Sequence, residues 1–165
     1  MHTIILGSTA TATALMGGLF YAFSWAVMPG LKRLPDTSYI MAMQSINRAI
    51  QNPVFFAAFL GAALLLPFST YLDYSPTKPV STRFWLLLAA SGVYMIGVIG
   101  VTMGGNVPLN ETLDAFDVQA ASVSDVLNHR RAFELPWTQF HTIRTGASFL
   151  TVLLVVAACL RPENH

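Results

Sequence analysis

Four stretches of the chain, at about residues 4–28, 54–72, 84–104 and 142–160, are mainly apolar and long. A helix needs roughly 20 such residues to cross the hydrocarbon core of a bilayer. In a chain of 165 residues, four of them leave too little polar sequence to build a water-facing shell. The charge content agrees: 10% of residues are charged, against about 25% in soluble domains. Lipid is therefore the expected solvent. In lipid every backbone polar group must be satisfied internally, which selects helices here. The predicted fold is all-α, a four-helix transmembrane bundle forming a single membrane domain over residues 1–165.

The N-terminal stretch has no Lys or Arg ahead of it and is too long for a signal-peptide core, so it reads as a retained span. It is rich in Gly, Ala, Ser and Thr (GSTATATALMGG), residues that let helices approach closely in lipid. That predicts an inner helix and makes a homo-oligomer an open alternative. Pro67 predicts a kink in the second span. A net charge of +1 without a basic stripe excludes nucleic acid as a partner class. The single Cys159 excludes an internal disulfide.

The connections are unequal. Residues 73–83 form a short link rich in turn residues. Residues 29–53 and 105–141 are long and patterned. YIMAMQSINRAIQNP reads as an amphipathic helix with Ile40, Met43, Ile46, Ala49 and Ile50 on one side. AFDVQAASVSDVLNHRRAFE reads as a second, with Val118, Ala121, Val126 and Phe133. Gly104, Gly105 and Pro108 are expected to end the third span. Four crossings place both long connections on one membrane face. That face holds Lys32, Arg33, Arg48, Arg130, Arg131 and Arg144, against Lys78, Arg83 and Arg161 opposite, so the long connections are expected in the cytoplasm.

Polar residues gather at the same end: Gln44, Asn47, Arg48, Asn52, Asn106, Asn110, Glu134, His141 and Arg144. Polar groups near hydrocarbon are costly unless paired, so they mark either a site or an interfacial hydrogen-bond network. Each has a structural alternative. Asn52 before Pro53 suits a helix N-cap. Asn106 and Asn110 suit turn chemistry around Pro108. Trp137 suits an interfacial belt, and Arg144 suits a snorkelling cation. In WTQFHTIRTGAS the residues Trp137, His141, Arg144 and Ser148 share one helix face. A titratable ring one turn from a guanidinium suggests a base kept neutral by its neighbour.

Four segments, YAFSWAVMPGL (21–31), MQSINRAIQNPVF (43–55), GNVPLN (105–110) and WTQFHTIRT (137–145), resemble the DUF1772, anthrone oxygenase-like family of small four-helix membrane proteins. The resemblance spans about residues 7 to 160. It implies a membrane oxidoreductase, a monooxygenase that oxidises an anthrone to an anthraquinone with O2. The matching positions are Asn47, Asn52, Asn106, Pro108, Asn110, Trp137, His141 and Arg144. Thr138 and Phe140 depart from the asparagine-bearing variants of the last motif in many members.

The methylene of an anthrone is acidic because its conjugate base is an aromatic, phenolate-like anion. That anion can pass an electron to O2 without a metal. The protein would supply a base, donors for the oxyanion and a dry aromatic pocket. The expected roles are His141 as base and Arg144 as oxyanion partner. Asn47, Asn52, Asn106, Asn110 and Trp137 would hold the substrate. Tyr21, Phe23 and Phe140 are further stacking candidates. A lipophilic substrate, O2 and membrane lipid are the expected partners, and no cofactor is required. An alternative adds iron, copper or haem, with His141 and Glu134 as ligands; no ExxH, HxxxH or CxxC pattern accompanies them. A reading of another class is a non-enzymatic integral membrane protein that packs with partners or binds a lipophilic ligand. Convergence of the polar set on a cavity favours a site, and complete mutual pairing favours packing.

Overall fold

The structure, a computed structural model, describes residues 2–77 and 79–161, so Lys78 of the short link lies outside the described residues. It consists of α1 (His2–Leu31), α2 (Asp36–Ala49), α3 (Pro53–Asp73), α4 (Thr82–Asp114) and α5 (Val123–Cys159). Among the described residues there is no strand. All but α2 are long and apolar enough to cross a membrane.

The bundle is apolar on both its inner and outer surfaces, as a lipid solvent demands. Leu15, Leu60, Leu64, Ile96 and Leu153 point outward and are exposed. Met16, Phe20, Phe59, Leu66, Tyr94, Val98 and Val155 form the interior. On α1 the buried positions include Thr9, Ala12, Thr13 and Gly17. A Cβ on Gly17 would meet Val152 at 3.2 Å, so the small-residue stripe does bring α1 close to α5. Thr9 bonds Ser69 (2.8 Å) and Thr70 bonds Ser91 (3.1 Å) across the bundle.

Helix starts follow local chemistry. The Asn52 side chain accepts from the backbone N–H groups of Val54 and Phe55 ahead of Pro53, and Ser81 and Ser122 cap α4 and α5. At the short link, Asp73 pairs with Arg83 (3.1 Å) and accepts from Ser81 (2.5 Å).

Two sequence expectations need correction. The third span does not stop at Gly104–Gly105; α4 runs on to Asp114. The segment 105–141 is not a connection either, because α5 is continuous from Val123 through Pro136 to Cys159. Pro108 is tolerated because α4 widens into π-helical turns over Tyr94–Gly100 and Thr102–Asn106 just before it. α1 widens likewise over Phe23–Val27, just before Pro29. Each proline opens a fresh α-helical stretch, where its missing N–H costs least.

At 37 residues α5 is about 55 Å long by helical rise, well beyond the ~30 Å hydrocarbon core. The excess of α4 and α5 joins α2 in a cap with its own core of Tyr39, Ile40, Met43, Leu113, Val126, Phe133 and Trp137. Gln44 closes the end of α4 by donating to the Leu113 and Phe116 carbonyls (2.8 and 2.9 Å). Arg130 binds Asp36 and Glu134 and donates to the Leu34 and Lys32 carbonyls, which ties the α1–α2 connection to α5. Its guanidinium lies 4.3 Å over the Tyr39 ring. Burial, reinforced by Glu134, raises the Tyr39 hydroxyl pKa above its ordinary value, with Arg130 opposing.

Candidate active site

Where the spanning bundle meets the cap, a cavity of about 530 Å³ opens between α1, α2, α3, α4 and α5. That is within the range of small-molecule sites, about 300–1,000 Å³. Phe20, Phe23, Phe55, Phe56, Phe59 and Trp137 supply aromatic walls. Its exposed lining residues include Phe56 on α3 and Met103 on α4, and Arg48, Gln51, Glu111 and Asp114 toward the cap. Its polar lining includes Asn47, Arg48, Gln51, Thr102, Asn110, Glu111, Asp114 and Arg144.

Arg144 is the unusual member. It is 9% exposed, and no carboxylate pairs with it among the described residues. Its guanidinium carbon sits 4.6 Å from the Phe20 ring centre and 5.3 Å from that of Trp137. Its Nε donates to His141 Nδ1 at 3.1 Å. A buried cation in an apolar setting is held by aromatic faces and a neutral ring, leaving it able to receive an anion.

His141 is fully engaged. An arginine nitrogen only donates, so Nδ1 accepts and the ring proton sits on Nε2. Nε2 lies 3.0 Å from Ser24 Oγ, and Ser24 lies 3.3 Å from Thr145 Oγ1. The ring stacks on Trp137 (4.9 Å, 17°) and meets Phe20 edge-on (5.9 Å). His141 does not line the cavity; Arg144 and Trp137 do.

The asparagines divide. Asn110 lines the cavity and accepts from Trp137 Nε1 at 2.8 Å. Asn106 is buried; its Nδ2 donates to the Trp137 carbonyl (3.2 Å), and its Oδ1 has no hydrogen-bond partner among the described residues. Asn47 lines the cavity with its buried Nδ2 unpartnered among the described residues, and so does Thr102 with its hydroxyl. Asn52 is the N-cap of α3 and stays out of the lining. Glu134 is two turns from His141 on α5, about 10 Å by helical rise, and binds Arg130 (2.9 Å) with Lys32 nearby (3.9 Å). It faces the cap, away from the pair it was expected to join. Among the described residues no three His, Cys, Asp or Glu side chains cluster as a metal site.

Tyr21 and Phe140 also lie elsewhere. Tyr21 is exposed beside Trp25 and Phe149. Phe140 packs so tightly on Gly105 that a Cβ there would come within 2.5 Å. Sequence reasoning missed Ser24, Thr102, Glu111 and the α3 aromatics. Ser24 resembles any small residue of an apolar span, and only its packing against His141 distinguishes it.

The chain matches the family model for anthrone oxygenase over residues 52–154, more than half its length. It belongs to the anthrone oxygenase family. No curated protein and no solved structure matches it. Within the segment matched to anthrone oxygenase stand Asn52, Asn106, Asn110, Trp137, His141 and Arg144, whereas Asn47 and Ser24 precede it. With four bilayer-length apolar helices, this family member is an integral membrane protein.

Proposed function

We propose that this member of the anthrone oxygenase family is an O2-dependent oxidoreductase acting on a planar, lipophilic aromatic ketone of polyketide type. The observation that supports the reading is Arg144, a buried guanidinium with no counter-ion among the described residues, which lines an aromatic cavity at the end of the spanning bundle. A substrate whose enolisation places negative charge on a ring oxygen would supply the missing anion. Donors preorganised where charge develops are a large source of rate acceleration. Asn47, Thr102 and Asn110 would hold the remaining oxygens, and Trp137 with the phenylalanines would receive the ring faces. The base role expected of His141 does not suit its place behind the cavity wall. In this reading His141 positions Arg144, and Ser24 positions His141. No metal or haem is required by these steps. The end of the bundle that carries the cap is assigned to the cytoplasm on the charge asymmetry described above.

Anthraquinone formation and O2 consumption would be followed with the protein in lipid nanodiscs, against empty nanodiscs to subtract autoxidation. A rate well above background that falls about 100-fold in Arg144→Met supports the reading. A wild-type rate equal to background, with saturable anthrone binding, would replace it by lipophilic ligand binding without turnover. The pairing of Trp137 with Asn110 and of His141 with Arg144 and Ser24 favours that second reading.

A further inference from the structure

We infer that Glu111 is the proton acceptor of the cavity. This rests on the proposed oxidation and supplies the group it lacks once His141 is placed behind Arg144. Of the acidic residues, Glu163 lies outside the described ones. Asp36, Asp73, Asp114 and Glu134 hold arginines. Asp117 and Asp125 are bound to residues of their own turns. Glu111 alone among the described carboxylates has no partner, and it lines the cavity. Asp114, one turn along α4, also lines it but is held by Arg48 at 2.6 Å.

The placement suits an enolisation. Side chains on a helix lean toward its N-terminus. α4 and α5 run antiparallel, with Asn110 against Trp137, Gly105 against Phe140 and Gly97 against Ala147, so Glu111 stands about two turns nearer the cap than Arg144 and the two side chains lean toward each other along the cavity. The ketone oxygen and the methylene of an anthrone lie on opposite sides of the central ring. A ketone on Arg144 therefore presents its methylene toward the Glu111 end. A carboxylate base opposite donors for the oxyanion is an established solution for abstracting a proton next to a masked enolate.

The steps balance. Glu111 takes one methylene proton, and the C–H electron pair enters the ring system as an oxyanion on Arg144. One electron passes to O2, and the radical and superoxide join in a C–O bond. The peroxide anion takes the proton back from Glu111. Glu111 then removes the second methylene proton as the O–O bond breaks, and the departing hydroxide takes that proton as water. The methylene becomes a carbonyl, one atom of O2 enters it and the other leaves as water.

Proton removal can be measured without O2. Under argon in D2O, deuterium uptake at the anthrone methylene would be followed by NMR in nanodiscs carrying wild type, Glu111→Gln, Glu111→Asp or His141→Ala. Glu111 is exposed, so its variants should keep the wild-type melting temperature. The expected result is wild-type exchange above the empty-disc rate, a loss on the order of 100-fold in Glu111→Gln, and partial recovery in Glu111→Asp. Wild-type exchange rates in Glu111→Gln overturn the assignment while leaving the oxidation standing, and more so if His141→Ala has lost exchange. No acceleration by wild type of either exchange or oxidation overturns both.

Discussion

Arg144 concentrates the energetics of the site in one side chain. Its cation is held by a neutral ring nitrogen and two aromatic faces instead of a carboxylate. A lysine would keep the charge and lose both the planar stack and the Nε donor to His141, so Arg144→Lys should rescue little of the activity lost in Arg144→Met. The comparison is a kcat measurement with protein concentration fixed by absorbance. Asn47 makes the complementary case. A buried amide nitrogen without a partner costs stability, about 1–3 kcal/mol. Asn47→Leu should therefore melt at the same or a higher temperature while KM for the aromatic substrate rises roughly tenfold, an exchange of stability for function. A lower melting temperature with unchanged KM would make Asn47 a structural residue. The sequence placed Asn47, His141 and Arg144 at one end of the bundle. It did not distinguish the side chain that faces the cavity from the one that stands behind it, since i and i+3 positions share a helix face.

At the scale of elements, the contact of α4 with α5 rests on two glycines. A Cβ on Gly97 would approach Ala147 at 2.6 Å, and one on Gly105 would strike the Phe140 ring at 2.5 Å. Gly104, next to Gly105, meets nothing within 4 Å. Gly104→Ala should be neutral or stabilising by up to about 1 kcal/mol through helix propensity. Gly105→Ala should cost about 1–3 kcal/mol through overpacking. It should also lower activity, because Phe140 lies between Trp137 and His141 in sequence and any shift of α5 there reaches Arg144. Thermal melts of the two variants in one lipid system check the contrast. Local signals for these elements were partly misleading. Gly-Gly and Pro usually end a helix, yet π turns and neighbouring helices absorb them in α4. The caps at Asn52, Ser81 and Ser122 were of the ordinary local kind.

The whole molecule is a bundle in which α4 and α5 extend past the other spans and form a cap with α2 at one end, and the proposed cytoplasmic placement of that end is open to test. In a Cys159→Ala background, Thr77→Cys in the short link and Ser124→Cys at the start of α5 report opposite faces. With a membrane-impermeant maleimide on intact cells, Thr77→Cys should label and Ser124→Cys should label only after lysis; the reverse pattern would invert the orientation. The fold class and the spans were legible from the chain alone because lipid imposes one rule on every backbone segment, and four long apolar stretches leave only helices to obey it. The end of the bundle that carries the polar set was legible for the same reason, since uncompensated polar side chains settle at its boundary. The cavity was not legible. Its walls come from all five helices, and its aromatic lining from α3 reads in sequence as ordinary membrane-facing residues. The free carboxylate was hidden too, because whether Glu111 or Asp114 is paired depends on where α2 places Arg48. Periodicity and hydropathy describe one helix at a time; which groups are left unpaired is a property of how the helices pack, and only the tertiary structure decides it.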